Sequence, residues 1–218
     1  MIKGVIFDLD GVLVSTDMLH YKAWKWLADQ LGIHGFTEAD NMRQRGVSRM
    51  ASLEVVLEKG DRTYSQAEKE KLAEMKNDFY RELLKSLTPE DVLPGALDSL
   101  RKLRRMGVCI GVGSVSRNTP VILERTGLGR YVDAVSCGLD ITHSKPHPEV
   151  FLVAAEKLGL APGDCLVVED ADAGIQAAKA AGMRVLGVGP AAQDPDADYS
   201  AASLAAPIDW TLVLGREQ

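Results

Sequence analysis

Two carboxylates close the first apolar run of the chain. In GVIFDLDGVL (Gly4–Leu13), Asp8 and Asp10 follow Val5-Ile6-Phe7, with Leu9 between them and Gly11 directly behind. A carboxylate fixed at a strand end suits a nucleophile. One placed two residues later, on a turn that glycine permits, suits a group that moves a proton. Other polar residues trail other apolar runs in the same way: Ser114 after VCIGVG, Lys145 after AVSCGLDITHS, and Glu169 with Asp170 after CLVV. Each alone reads equally well as a helix cap or a solvated loop residue; all of them behind the right runs do not. Carboxylates gathered at one point repel one another unless a cation joins them. Oxygen donors with no histidine or cysteine among them suit Mg²⁺, an ion that favours substrates carrying phosphate oxygens. Ser114, just before the helical pattern NTPVILERTG, offers a hydroxyl and backbone N–H groups to a phosphoryl group, and Lys145 adds a point charge. These residue types compose attack by Asp8 on phosphorus to give an aspartyl-phosphate, with Asp10 as general acid and base.

The elements that must gather these residues follow from the hydrophobic pattern. VIFDL reads as a short buried strand. From Leu93 onward, strand candidates (VCIGVG, VDAVSCG, CLVVED, MRVLGVG) alternate with helical ones (PGALDSLRKLRRMG, NTPVILERTG, HPEVFLVAAEKLG, ADAGIQAAKAAG) across short connections. That alternation predicts a parallel sheet covered by helices on both faces, with ligands beyond the carboxyl ends of its strands. Between the first strand and this block the texture is helical only. YKAWKWLADQLGI places Trp24, Leu27 and Leu31 on one face. SRMASLEVVLEKG starts at a candidate Ser48 cap and stops at Gly60. A long pattern begins near Ser65, with Leu72, Met75, Phe79 and Leu83 as its apolar side. The expected organisation is an α/β core from residues 1–15 and 93–218, with an all-helical cap of three or four helices at 16–92. The stretch GPAAQDPDADYSAASLAAP reads as surface loop with a short helix, and WTLVLG as a small terminal strand.

Composition excludes several classes. The 218 residues suffice for one large domain or two modest ones. The formal charge of -6 argues against non-specific binding to nucleic acid or an anionic membrane. No apolar stretch approaches the roughly 20 residues needed to cross a bilayer, and MIKGVIFDLDG lacks the pattern of a signal peptide. A cytoplasmic protein is the expectation. Cys109, Cys137 and Cys165 are scattered without a CxxC pair, and Cys109 and Cys165 read as small buried hydrophobes. His143 and His147 stand four apart with no acidic partner at ligand spacing, and read as loop residues.

FDLDGVL, GVGS, SKPHPEVF and VEDADAG, in that order, resemble the four motifs of the haloacid dehalogenase-like phosphotransferase superfamily. The resemblance spans nearly the whole chain and implies a Rossmann-like parallel sheet with an inserted helical cap, and Mg²⁺ held by Asp8, the Asp10 carbonyl, Glu169 and Asp170. Within the superfamily the chain is most similar to the β-phosphoglucomutase family. TDMLHYKAWKWLADQLGI puts Thr16, His20 and Trp24 where that family has a hinge threonine, a histidine contacting the acid/base aspartate, and a cap tryptophan. RGVSRMASL resembles its substrate loop, so Gly46, Val47, Ser48, Arg49 and Ser52 become substrate contacts, with Arg49 as the phosphate-binding arginine. Lys76 matches its cap lysine. In SVSRNTP, Ser116 and Asn118 match residues that grip a second phosphate, with Arg117 between them.

The resemblance thus implies interconversion of β-D-glucose 1-phosphate and glucose 6-phosphate through β-glucose 1,6-bisphosphate, by a monomer acting on small sugar phosphates. The cap would close to exclude water from the aspartyl-phosphate. The runner-up is a Mg²⁺-dependent sugar phosphatase using the same core residues, with water as acceptor. A non-catalytic binding domain gives no reason for the gathered charges. Plain readings of the cap residues also stand: His20 as a polar residue opening a helix, Arg49 as a solvated helix residue, Lys76 as one lysine of a charged helix, and Trp24 and above all Trp26 as core aromatics. Ser15, His147 and Ala171 depart from the family pattern, but none of the three removes a required charge.

Overall fold

A computed structural model of the chain describes residues 1–44 and 47–216. It divides into two units, one formed by Met1–Ser15 with Thr88–Gln218 and one by Thr16–Leu87. Among the described residues no helix is long and apolar enough to cross a membrane.

The first unit is built on a six-stranded sheet. In chain order its elements are β1 (Gly4–Phe7), α5 (Ala96–Arg105), β2 (Cys109–Gly113), α6 (Thr119–Arg125), β3 (Ala134–Ser136), α7 (Glu149–Leu158), β4 (Cys165–Glu169), α8 (Asp172–Ala180), β5 (Arg184–Val188), β6 (Tyr199–Ala201) and α9 (Trp210–Val213). The lower helix numbers belong to the insert after β1. Strand order is β3-β2-β1-β4-β5-β6, all parallel. β1 is GVIF and wholly buried, as a central strand covered on both faces must be. Its register pairs Phe7 with Val112 on one side and with Val168 on the other. The chain leaves β1 toward β2 and β3, then returns to the other side for β4, β5 and β6. The carboxyl end of β1 is therefore the place where strand order reverses, the crevice in which open α/β sheets bind ligands. On one face Ile6, Val167 and Val185 pack with Phe151 and Ala154 of α7 and with Ile175 and Ala178 of α8.

Two expectations for this unit fail near the carboxyl terminus. WTLVLG is not a strand: Trp210–Val213 is a short helix. The Asp209 carboxylate accepts from the N–H groups of Thr211 and Leu212 at 3.0 and 3.2 Å, and this cap outweighs the β-prone composition. The loose stretch before it holds the sixth strand, whose Tyr199–Ala201 pair with Leu186–Val188. A three-residue edge strand carries too little alternation to read. Cys109 is half-buried, whereas Cys165 is buried as expected.

The second unit comprises α1 (Asp17–Gln30), α2 (Glu38–Met42), α3 (Arg49–Leu57) and α4 (Gln66–Leu84). Its core gathers Trp24, Leu27, Leu53, Val56 and Leu72. Ser48 caps α3, its hydroxyl accepting from Ala51 N at 3.1 Å. Ser65 and Glu68 form a reciprocal capping box on α4. The apolar side of α4 differs from the expected one. Leu72, Ala73, Lys76, Asn77, Tyr80 and Leu84 are buried, while Met75 is 45% exposed and Phe79 is half-buried against Trp26, with ring centroids 4.6 Å apart. Reading apolar types alone rotated the helix, because its inward face carries a lysine and an asparagine.

Candidate active site

The sheet fixes the backbone of the first carboxylate. Asp8 N donates to Val168 O at 2.9 Å, extending the ladder one step past β1. Continuing the register levels Asp8 with Gly113 on β2 and with Glu169, the last residue of β4. The chain then turns tightly: Gly11 N donates to Val14 O at 2.8 Å, and Leu13 N to Leu9 O at 2.9 Å. Gly11 has φ +86°, and a Cβ there would lie 2.1 Å from Asp170 Oδ2. Glycine is required on both counts.

Lys145 reaches this point from the loop before α7. Its ammonium donates to Asp8 Oδ1 and to Glu169 Oε1, and lies 4.8 Å from the centroid of the Phe151 ring. The other Glu169 oxygen accepts from Asp170 N at 2.9 Å and Ala171 N at 3.0 Å. Asp8, Lys145, Glu169 and Asp170 are all buried. Burial pushes the Asp8 carboxyl well above its usual range, with Lys145 opposing and Glu169 and Asp170 adding to the rise. Burial also opposes the Lys145 charge, but Asp8 and Glu169 outweigh it and hold the ammonium above its ordinary value. Asp8, Glu169 and Asp170 bring their carboxylate oxygens to this point, with the Lys145 ammonium bonded to the first two. That donor set fits a hard divalent cation.

Ser114 follows β2, its N–H donating to Ser136 O at 3.0 Å. Its hydroxyl accepts from Ser116 N, and the Ser116 hydroxyl from Asn118 N, each at 3.2 Å. Thr119 Oγ1 donates to Ser116 O at 2.8 Å. Consecutive side-chain turns therefore shape the loop between β2 and α6. Asn118 is buried in it and Arg117 is exposed.

The helical unit gathers a second set. Lys76 is 3% exposed, with Nζ 4.4 Å from the Trp24 ring centroid and 4.5 Å from that of Tyr80. It donates to His20 Nδ1 at 2.9 Å. An ammonium has no acceptor, so His20 Nδ1 must carry the lone pair and the neutral ring holds its proton on Nε2. Burial, then the Lys76 and Arg49 charges, push the His20 pKa well below its ordinary value. His20 also stacks on Tyr80 at 4.1 Å, and the Tyr80 hydroxyl donates to Thr16 Oγ1 at 3.0 Å. Arg49 donates to Glu74 at 3.1 Å and to Asn77 Oδ1 at 2.9 Å. Val47 is half-buried, Ser48 is occupied as a cap, and Ser52 is buried with its carbonyl accepting from Gln44 Nε2 at 2.8 Å. Gly46 lies outside the described residues.

Sequence reading missed three contributors. A Cβ on Gly174 would lie 1.9 Å from the Glu169 carboxyl group, so only glycine lets that side chain settle. Tyr80, one helical turn after Lys76, shares its face and connects Lys76, His20 and Thr16. Asn77 holds Arg49. One expectation is corrected: His143 and His147 do have an acidic partner. Glu149, the first residue of α7, reaches back to the loop and meets both rings.

A sheet reversing at β1, with buried carboxylates and a lysine on its edge, defines a class. The model of the haloacid dehalogenase-like hydrolase family matches residues 2–182, and the chain belongs to that family. Within it, the chain is 44% identical over 189 residues to β-phosphoglucomutase of Bacillus subtilis (strain 168), covering 86% of this chain and 83% of that protein. The crystal structure of β-phosphoglucomutase from Clostridium difficile superposes with a TM-score of 0.88 at 37% identity, covering 94% of this chain and 92% of that one. Fructose-1-phosphate phosphatase YqaB of Escherichia coli (strain K12) is 34% identical, covering 85% of this chain and 95% of its own length. These relations imply a divalent metal, in agreement with the donor set at the end of β1.

Proposed function

We propose that the chain interconverts β-D-glucose 1-phosphate and D-glucose 6-phosphate through an aspartyl-phosphate on Asp8 and β-glucose 1,6-bisphosphate. The observation that carries this reading is the buried Asp8–Lys145–Glu169–Asp170 cluster at the reversal point of the sheet, in a chain 44% identical to a β-phosphoglucomutase. An Asp8 oxygen attacks phosphorus, the bond from phosphorus to the sugar oxygen breaks, and Asp10 gives its proton to that oxygen. In the second half, Asp10 takes the proton of the accepting sugar hydroxyl as its oxygen attacks phosphorus and the Asp8 carboxylate departs. Lys145 keeps the Asp8 carboxylate placed, and Ser114 offers its hydroxyl to the phosphoryl group. Asp8, the Asp10 carbonyl, Glu169 and Asp170 would hold Mg²⁺, which supplies charge neutralisation at the phosphoryl oxygens.

Ser116, Arg117 and Asn118 of the sheet unit are the proposed contacts of the sugar phosphate not being transferred, together with Arg49 and Lys76 of the helical unit. Gly46, Val47, Ser48, Ser52 and Trp24 are proposed sugar contacts, and Thr16 a hinge. His20 presents an Nε2–H, the polarity a carboxylate requires. The reading carries with it a cytoplasmic monomer acting on small molecules, with no nucleic-acid partner.

The relation to a fructose-1-phosphate phosphatase favours one second reading, a sugar phosphatase on the same core. Incubation with β-glucose 1-phosphate, Mg²⁺ and a trace of the bisphosphate separates the two. Glucose 6-phosphate as the main product supports the mutase; predominant free phosphate replaces it with the phosphatase.

A further inference from the structure

The loop that delivers Lys145 carries a second group of ligand-type side chains, turned to solvent. His143 and His147 lie two residues to either side of Lys145, and Glu149 opens α7. His143 Nδ1 is 3.0 Å and His147 Nδ1 3.9 Å from Glu149 Oε2, and the imidazole centroids are 4.5 Å apart. One donor atom from each of the three side chains falls within 4.8 Å of the others. Tetrahedral Zn²⁺ with bonds of about 2.0–2.1 Å spaces its ligand atoms about 3.3 Å apart. The observed separations bracket that value, so small side-chain rotations close the set.

The carboxylate is held in place from behind. Its Oε1 accepts from Thr142 N at 3.1 Å, and its Oε2 from His143 N at 2.7 Å. Such support of a ligand by fixed donors is what orients metal sites. The Thr142 hydroxyl reaches both carboxylate oxygens at 3.2 Å and His143 Nδ1 at 2.9 Å. His147 Nδ1 accepts from Glu149 N at 3.3 Å, a long hydrogen bond that places its lone pair at the start of α7 and that a metal ion would replace.

We propose that His143, His147 and Glu149 bind one borderline transition-metal ion of the Zn²⁺ class, separate from the oxygen-donor site at Asp8. Two imidazoles and a carboxylate favour Zn²⁺, Co²⁺, Ni²⁺ or Cu²⁺ over Mg²⁺, and the solvent-facing side leaves room for water as a further ligand. Because the ligands bracket Lys145 and end on α7, the ion clips together the two ends of the segment that aims the lysine at Asp8.

The test uses tag-free protein in saturating Mg²⁺, so that the oxygen-donor site is filled. Titration with Zn²⁺ in a calorimeter, and with Co²⁺ followed by its visible absorption, gives one bound ion per chain. His143→Ala and His147→Ala each weaken binding at least tenfold. The His34→Ala control and Asp170→Asn leave it intact, the latter even if phosphoryl transfer fails. Both histidines are exposed, and circular dichroism checks that the variants are folded. Unchanged affinity in the double histidine variant, no binding by the wild type, or loss of the ion in Asp170→Asn overturns the proposal.

Discussion

The two units bury charge in opposite ways. At the end of β1 the sheet unit collects the carboxylates of Asp8, Glu169 and Asp170, the first two bonded to the Lys145 ammonium. The helical unit buries Lys76 on the faces of Trp24 and Tyr80 and lets it bond a neutral His20. Where it buries a carboxylate, Asp40, that group is spent on the Thr37 N–H at 2.8 Å and on Lys59 at 3.0 Å. The sheet unit gathers carboxylate oxygens, the donor type that suits a hard cation. The helical unit holds its buried cation against ring quadrupoles and a neutral imidazole. In the proposed reaction the first set serves metal and phosphoryl transfer and the second serves recognition of the sugar phosphate. Substitutions on each side should therefore fail differently.

The largest effect belongs to the sheet unit. Asp8→Asn should form no phosphoenzyme and lose transfer by about 10⁴-fold or more, since an amide is a very poor nucleophile. Asp10→Asn should still accept phosphate from acetyl phosphate, whose leaving group needs no proton, and then fail to pass it to a sugar. Mass spectrometry after acetyl phosphate, followed by a glucose 1-phosphate chase, distinguishes the two; phosphorylation of Asp8→Asn at this motif would remove Asp8 as nucleophile. Next comes Gly174→Ala. Its Cβ would displace the Glu169 carboxyl group, and with it one of the two anchors of Lys145. A displacement of about 1 Å at a reacting group costs on the order of a hundredfold in rate, and overpacking destabilises by about 1–3 kcal/mol. Kinetics and urea unfolding report both, and a variant normal in each would mean that Glu169 settles elsewhere without cost.

The same contrast explains what was legible in the sequence. Asp8, Ser114, Lys145, Glu169 and Asp170 could be grouped because each trails an apolar run, and a parallel sheet sends all such positions to one edge. The helical unit offers no equivalent address. A buried Lys76 contradicts the apolar pattern from which a helix face is read, and that pattern puts Met75 and Phe79 inward in its stead. Tyr80 and Asn77 went unseen because their importance lies in contacts with α1 and α3. β6 and α9 were misread for a different reason: three or four residues carry no period, and a single cap such as Asp209 decides their state. Glu149 escaped notice because His143 and Glu149 stand six residues apart and only the fold of the loop joins them.

Arg49→Ala should sharpen the comparison from the helical side. The guanidinium donates to Glu74 and Asn77, so to grip a phosphate it must exchange the Glu74 carboxylate for the phosphate fork. Loss of one charge-assisted contact is worth about 2 kcal/mol, or about thirtyfold, and it should fall on glucose 1-phosphate turnover while hydrolysis of acetyl phosphate stays near normal. Equal losses on both substrates would make Arg49 a tie between α3 and α4.

The smallest effect is a dependence of stability on pH that comes from His20. Burial, reinforced by Lys76 and Arg49, holds its folded-state pKa well below the ordinary value of 6.5. Above that value the ring is neutral in both folded and unfolded chains, and His20 adds no slope. Below it the unfolded chain takes up a proton that the folded chain refuses, so stability falls as pH falls toward the depressed folded pKa, by at most about 1.4 kcal/mol per pH unit. Asp40, held below its usual carboxylate range by its hydrogen bonds against the cost of burial, titrates at lower pH and leaves the window between about pH 5 and 7 undisturbed. His20→Gln keeps an oxygen to accept from Lys76 but has nothing to titrate. Urea unfolding of the whole chain at several pH values should show the wild type losing stability from pH 7 to pH 5 and the variant losing less. Parallel curves would mean that His20 takes up its proton within the fold, and Lys76 would then be facing a second cation rather than a lone pair.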